Sequence, residues 1–252
     1  MSRIFKSNNP MLSDKAIAKA KVETLEKRGG PITSMSEYMT VSGAVNKTII
    51  LVGIMLISAV YAFSSPLSIY MPIGVFGGLA VYMFTNWKPH WAPTTAPLYA
   101  LLEGLFVGTV SAIYSAQFDG ILLQAVSLTI GTLITMLLVY QSGLIKVTDK
   151  FRMGVSMAVG AIMLVYLISW VGSYAGFEIP YLHEGGVIGI GITVVIIGVA
   201  AMNLLLDFDN FDKGERNQLA KHYEWLFGMG LLFTLIWLYV EFLRLLSKIQ
   251  SD

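Results

Sequence analysis

The sequence has no cysteine and very little charge. None of its 252 residues is Cys, which excludes disulfides, thiol redox chemistry, thiolate metal sites and cysteine nucleophiles together. Charged residues make up 13% of the chain, whereas a soluble domain carries about 25% because its surface faces water. Since 55% of the residues are hydrophobic, most of the surface is expected to face a lipid bilayer.

Motifs for catalysis and for nucleic acid binding are also missing. The net charge is +1, so no global electrostatic field recruits nucleic acid. His90, His183 and His222 lie in different loops without metal-ligand spacing, and neither a GxSxG elbow nor a P-loop occurs. We therefore expect a protein that is not an enzyme and that uses no cofactor.

Residues 1–47 form a polar amino-terminal tail. The tail has no apolar core of the kind found in cleavable signal peptides, so we expect the first hydrophobic helix to direct the chain to the membrane. Ser13 precedes DKAIAKAKVETLEKR, and Gly29-Gly30-Pro31 follows it. This pattern predicts a capped amphipathic helix, which either rests on the membrane surface or docks on a partner.

Residues 48–248 are predicted to form one transmembrane domain. A helix needs about 20 mostly apolar residues to cross the hydrocarbon core, and seven such stretches follow the tail. A soluble all-helical core is the alternative, and it fails because seven apolar helices leave no polar face for water. The stretches run roughly over 48–64, 67–86, 98–117, 121–141, 153–175, 186–207 and 224–246.

The distribution of positive charge predicts the orientation. With seven spans, the side that holds the tail carries 15 of the 17 Lys and Arg residues, and the other side carries only Arg244 and Lys248. Positive residues are retained in the cytoplasm. We therefore expect a cytoplasmic amino terminus and a carboxyl terminus outside.

Small residues recur at positions where helices could pack. Gly104 and Gly108 form a GxxxG pair, which lets helix backbones approach closely. Close packing and a flexible gate are both open interpretations of the glycines in the sixth stretch. These are Gly185, Gly186, Gly189, Gly191 and Gly198.

Five carboxylates lie in or beside the apolar stretches, and each is a functional candidate because charge inside a membrane is costly. Glu103, Asp207, Asp209 and Glu224 share the cytoplasmic half of the membrane in the predicted orientation. Glu241 lies 17 residues beyond Glu224, about 25 Å along the helix. We predict that these residues form a gating or pH-sensing group.

Carboxylates gathered at low dielectric cannot all be ionised cheaply, and a pair can share one proton. Such a group could hold calcium, which prefers several oxygen ligands, with Asp207 and Glu103 as the ligands. It could equally act as a latch that is closed when protonated and opened by charge repulsion.

Each acid also has a simpler interpretation. Asp207 and Asp209 could be interfacial residues where the sixth span meets water. Glu224 could be a helix N-terminal acid favoured by the helix dipole. Glu241 could extend toward the outer surface or pair with Arg244 three residues on.

Three segments resemble the Bax inhibitor-1 family, most closely its bacterial branch. They are PLYALLEGLFVGTVSAIY around Glu103, LLLDFDNF around Asp207, and LIWLYVEFLRLL near the end, and they occur in the family's order. The resemblance covers roughly residues 45–248. It implies a seven-helix bundle in which the other six helices surround the last one.

The resemblance also implies a pH-sensitive calcium leak controlled by one acid on span six and one on span seven. Asp207 falls at the span-six position. Counting along span seven from the preceding loop leads to residues 230–234, which contain no carboxylate. Matching the sequence string selects Glu241 instead, far from Asp207 in depth, whereas Glu224 has the right depth but the wrong register.

Three functions remain open at this point. The first is a pH-gated cation pathway, for calcium above all, with Asp207 as the main acid and Glu103 or Glu224 as its partner. The second is a non-transporting membrane regulator that binds a membrane protease or a stress-response complex, and the third is a proton-coupled transporter. We expect a multi-pass protein of the bacterial inner (plasma) membrane.

Overall fold

The computed structural model describes residues 38–174, 176 and 186–251. Within these ranges the chain is helical apart from its connecting loops and one isolated antiparallel bridge between Tyr38 and Ala220. The predicted amphipathic helix after Ser13 lies outside the described residues, as do His183 and Gly185. The predicted all-α fold is confirmed for the described part of the chain.

Seven helical runs in the described ranges correspond to the seven predicted apolar stretches. The second run, α2, is continuous but consists of an α-helical start, a π-helical turn and an α-helical end. A 3₁₀ turn at Pro89–Trp91 connects it to the third. The runs are α1 (Val41–Ser64), α2 (Tyr70–Pro72, Ile73–Gly77 and Gly78–Trp87), α3 (Ala92–Ser115), α4 (Ile121–Ser142), α5 (Asp149–Tyr174), α6 (Gly186–Arg216) and α7 (Tyr223–Ser251).

Six of these helices, α1 and α3–α7, are long and apolar enough to cross a membrane. In α2 the five-residue π-helical turn Ile73–Gly77 leaves an α-helical segment of only ten residues after it. The structure therefore confirms a protein with several membrane-spanning helices, and a crossing by α2 stays a prediction.

Helix α6 extends past the predicted end at residue 207, so Asp207 and Asp209 lie inside a helix rather than at its end. Two i,i+4 ion pairs stabilise the additional turns: Lys213 to Asp209 at 2.9 Å and Arg216 to Asp212 at 3.4 Å. The end of α6 is closed by a hydrogen bond from the amide of 219 to the carbonyl of 214 at 3.1 Å, with residue 218 at a φ of 52°. This is the geometry of a Schellman cap.

The chain divides into two compact units. The first contains Met1–Ala112 and Leu206–Ile236, and the second contains Ile113–Leu205 and Trp237–Asp252. The described part of the first unit therefore holds α1, α2, most of α3, the end of α6 and the beginning of α7.

In the first unit, α3 packs on α1 through the GxxxG pair. A Cβ atom at Gly104 would lie 2.6 Å from the Cβ atom of Ser58, and one at Gly108 would lie 2.9 Å from two backbone carbons of Ala59. The Ser58 hydroxyl also donates to the carbonyl of Leu101 at 2.7 Å. The packing interpretation is confirmed for this pair.

The glycines of α6 behave differently. A Cβ atom at Gly191 or Gly198 would meet no described atom within 4 Å. Close helix packing is therefore the wrong explanation for these two positions in the described part of the protein.

The membrane-spanning helices also differ in how deeply they are buried. The apolar window of α7 is 78% buried, whereas that of α5 is 11% buried.

Candidate functional site

The centre of the candidate site is a hydrogen bond between α6 and α7 in the first unit. Asp207 on α6 is 9% exposed and Thr234 on α7 is 1% exposed. The Thr234 hydroxyl donates to the Asp207 carboxylate Oδ2 at 2.6 Å. The carboxylate that the sequence singled out on span six is therefore buried and is bound by a neutral side chain of span seven.

Thr234 occupies the register at which the family resemblance predicts a second acid. Counting from the preceding loop leads to residues 230–234, and the structure places the last of these against Asp207. The range reached by the count therefore includes the α7 residue that contacts Asp207, and this residue is a hydroxyl donor. Thr234 was not predicted from the sequence because it carries no charge. The only signal was a small hydroxyl residue in an otherwise apolar stretch.

Glu103 lies on the face where α3 meets α2. It is 9% exposed, and a Cβ atom at Gly78 of α2 would lie 2.6 Å from its Oε1. The absence of a side chain at Gly78 leaves the room that the Glu103 carboxylate occupies. One turn earlier on α3, the buried Tyr99 phenol interacts with Glu103.

Tyr82 of α2 connects this face to Asp207. Its ring centroid lies 5.9 Å from that of Tyr99 and 5.5 Å from that of Phe233, the residue before Thr234. Its phenol interacts electrostatically with Asp207. Asp207 and Glu103 thus belong to one polar region, which we call the acid seam and define by Glu103, Tyr99, Tyr82, Asp207 and Thr234.

Glu224 belongs to α7 and contacts the beginning of α1. It is 2% exposed, and its Oε1 accepts the Thr40 backbone N–H at 3.1 Å and faces the Thr40 hydroxyl at 3.4 Å. Thr40 is itself the N-cap of α1 and accepts from the amide of Gly43 at 2.9 Å. Because Glu224 also lies in the first turn of α7, it is near the positive ends of two helix dipoles.

A second acid supports this junction. Glu215 near the end of α6 accepts the Val41 N–H at 3.2 Å, and the Met39 N–H donates to the Leu219 carbonyl at 2.8 Å. Glu224 precedes Thr234 by ten residues, about 15 Å along α7. The structure therefore places Glu224 in the anchoring of α1 and not beside Asp207.

Glu241 lies in the second unit and is 1% exposed. It forms an ion pair with Arg244 at 2.9 Å and accepts the Tyr166 hydroxyl of α5 at 2.8 Å. Arg244 also donates to the Tyr166 oxygen, and its guanidinium lies over the Tyr166 ring. The pairing with Arg244 that the sequence offered as the simpler interpretation is present.

Asp209 lies at a less buried point of α6 and pairs with Lys213 at 2.9 Å.

The side chains that could bind a metal ion are few. Among the described residues, no group of three or more Asp, Glu, His or Cys side chains could hold a metal ion. Of the two predicted calcium ligands, Asp207 accepts the Thr234 hydroxyl at 2.6 Å, and Glu103 interacts with the Tyr99 phenol.

Long apolar helices with a few buried and paired acids define a multi-pass α-helical membrane protein. The chain belongs to the Bax inhibitor-1 family: a family model described as Bax inhibitor 1 like matches residues 9–251. No match is found among curated proteins or among solved structures. The family identified from the three sequence segments is thereby confirmed over nearly the whole chain.

Proposed function

We propose that this protein is a non-enzymatic, pH-sensitive leak pathway for cations, calcium above all, gated by Asp207. The observation that carries the proposal is the buried Asp207 carboxylate on α6, held by the Thr234 hydroxyl of α7 at 2.6 Å. A membrane-buried acid is expensive and is usually found where ions or protons move. Glu103 supports the proposal as a second acid of the same seam.

Burial lets the ionisation of Asp207 act as a switch. A carboxylate away from water persists only when hydrogen bonds or charges replace its hydration, and the Thr234 hydroxyl supplies one such bond. A hydrogen bond to an ionised acceptor is stronger than one to a neutral acceptor. Protonation of Asp207 therefore weakens the link between α6 and α7 and removes the negative charge that attracts a cation.

The partner of Asp207 determines how acidification acts, although not the sign of the response. Two facing carboxylates would repel each other on ionisation and share a proton at lower pH. With Thr234 opposite, ionisation of Asp207 meets no like charge on that residue, so loss of cation attraction dominates the effect of acidification. We expect calcium flux to fall as the pH is lowered through the titration of Asp207.

Calcium flux into proteoliposomes, measured across a pH series, tests this proposal. Asp207→Asn keeps the size of the side chain and removes its titration, so flux should become low and independent of pH. Asp209→Asn, two residues away in the pair with Lys213, is the matched control and should keep the response. An Asp207→Asn protein with unchanged flux and pH dependence would refute the gate.

Thr234→Val gives a second variant at the same contact. It removes the donor to Asp207 but leaves the carboxylate. The ionised form loses a hydrogen bond, so the pH midpoint of the flux should move toward higher pH without the response being lost. No shift of the midpoint would mean that this bond does not control the ionisation of Asp207.

We further propose seven membrane crossings in a bacterial inner membrane, with α2 as the second, α7 as the enclosed helix and a cytoplasmic amino terminus. The charge asymmetry of 15 Lys and Arg against two and the 78% burial of the α7 window support this arrangement. Because the chain has no cysteine, Ser251→Cys would be its single thiol. Labelling by an impermeant maleimide in intact spheroplasts should succeed, and labelling only after lysis would contradict the orientation.

A second candidate function is a non-transporting regulator that binds another membrane protein. The observation that favours it is the attachment of the segment preceding α1 to the α6–α7 loop, through the Tyr38–Ala220 bridge and the Met39–Leu219 hydrogen bond. A partner bound to the tail could act on that loop. Deletion of residues 1–37 should then abolish partner capture, and a flux-silent protein with a tail-dependent partner would favour this function over the leak.

A further inference from the structure

Helices α2 and α3 run antiparallel with a fixed register, and this register aligns the residues of the acid seam. At one level Gly78 faces Glu103, and one turn along, the ring of Tyr82 faces that of Tyr99 at 5.9 Å. A further turn along, the Thr85 hydroxyl of α2 donates to the Thr95 hydroxyl of α3 at 2.7 Å. The two phenols are therefore held between helices whose relative position is fixed on both sides.

The two tyrosines occupy the interval between the two acids. Tyr99 interacts with Glu103 on one side and with Tyr82 on the other. The Tyr82 ring packs on Phe233 at 5.5 Å, and its phenol interacts with Asp207, the acceptor of the Thr234 hydroxyl. Glu103 and Asp207 are thus connected through two side chains that can each accept one proton and donate another.

Two buried polar atoms along this interval require a further partner. Within the described residues, the Tyr99 hydroxyl and the Asn86 Oδ1 atom make no hydrogen bond. Asn86 lies one turn after Tyr82 and donates to its carbonyl at 2.8 Å. Buried polar atoms are almost always satisfied, and a buried water with two to four polar neighbours commonly satisfies them.

We propose that Tyr99 and Tyr82, together with water bound at the Tyr99 hydroxyl and Asn86, form a proton path between Glu103 and Asp207. Protonated Glu103 gives its proton to the Tyr99 oxygen through the bound water, while Tyr99 passes its own phenolic proton through water to Tyr82. Tyr82 passes its proton to the Asp207 carboxylate. Glu103 ends ionised, Asp207 ends protonated, and both phenols are neutral before and after the transfer.

The path rests on the proposed function only in taking Asp207 as the acid that titrates. Its titratable members are Glu103 and Tyr99 from α3, Tyr82 from α2 and Asp207 from α6, and α7 contributes the non-titrating Thr234. Because the path delivers protons from Glu103 to Asp207, its role is kinetic. The two tyrosines are positioning and relay residues for that proton.

The test is the rate at which Asp207 becomes protonated after a pH jump, followed by time-resolved infrared spectroscopy of the full-length protein in liposomes. The carboxyl band that disappears in Asp207→Asn identifies the group. Tyr99→Phe and Tyr82→Phe should each slow its protonation by at least about tenfold, as removal of a positioned proton donor does. The final extent of protonation should change far less than the rate.

Tyr61→Phe is the matched control, because Tyr61 is an exposed tyrosine on α1 whose hydroxyl meets Tyr70 at 3.5 Å. It should leave the rate unchanged. Phenylalanine retains the ring packing of Tyr82 and Tyr99. If one of those variants does not insert, Glu103→Gln replaces it, since removing the first proton donor should slow the same band.

An unchanged protonation rate in Tyr99→Phe, Tyr82→Phe and Glu103→Gln would overturn the path. This outcome is separable from failure of the leak, because the infrared band requires no calcium flux. Slowed protonation in a flux-silent protein would support the path and refute the leak. A pH-dependent flux that needs Asp207, combined with unaffected rates in the tyrosine variants, would support the leak and refute the path.

Discussion

The contact between α1 and α3 gives a prediction that can be worked from distances. A Cβ atom at Gly108 would lie 2.9 Å from both the carbonyl carbon and the Cα atom of Ala59, with the carbonyl oxygen closer still, whereas ordinary contact begins at 3.4 Å. All three obstructing atoms are backbone, so no side chain can rotate away. The carbons alone require α1 and α3 to separate by about half an ångström on Gly108→Ala, and the closer carbonyl oxygen requires more.

The cost follows from this separation. Forcing a methyl group into a well-packed interface typically costs about 1–3 kcal/mol, and the rigid obstruction places Gly108→Ala near the upper value. For a domain of about 150–250 residues each kcal/mol shifts Tm by roughly 2–4 °C. We therefore expect the melting temperature in detergent to fall by about 6–12 °C, as measured by circular dichroism.

Gly53→Ala is the matched control for this substitution. Gly53 also lies within a membrane helix, α1, and a Cβ atom there would meet no described atom within 4 Å. Because alanine has a higher helix propensity than glycine, the free energy of unfolding of the Gly53→Ala protein should stay equal or rise by up to about 1 kcal/mol. Equal melting temperatures for Gly108→Ala and Gly53→Ala would refute the packing argument.

Three further substitutions test contacts outside the acid seam, each by thermal unfolding in detergent. Glu224→Gln should cost about 1 kcal/mol because the amide loses the charge interaction with two helix N-termini; an unchanged Tm would contradict the anchoring role. Gln218→Gly should stabilise by about 0.5–1 kcal/mol, since glycine adopts positive φ without strain, and a lower Tm would contradict the cap. Glu241→Gln should cost about 3 kcal/mol because the partly buried cation of Arg244 loses its charged partner, and a loss below that of Glu224→Gln would contradict the ion pair.

The helices were predictable because bilayer-crossing segments have a strong compositional signature, but their ends were less so. The predicted first stretch begins at residue 48, whereas α1 begins at Val41. The earlier start depends on Thr40 as the N-cap and on Glu224, which is 184 positions away in sequence. A partner so distant along the chain contributes nothing to a local hydropathy pattern.

The candidate site was predictable only in its charged members. Asp207 and Glu103 stand out because ionisable residues in apolar stretches are rare. Thr234, Tyr82 and Tyr99 do not, since hydroxyl and phenol groups are tolerated in membrane helices without any functional role. Their significance comes from the antiparallel register of α2 with α3 and from the contact of α6 with α7, which no local pattern specifies.

The presence of Thr234, and not an acid, opposite Asp207 determines what the seam can do with a proton. Two facing carboxylates can store a shared proton between them, whereas a threonine hydroxyl facing a carboxylate only donates. Within the seam the second titrating carboxylate is then Glu103, and the groups between it and Asp207 are the two phenols that face each other at 5.9 Å. In the proposed path, the two acids of the seam are coupled through the phenols of α2 and α3 and not by a direct contact between α6 and α7.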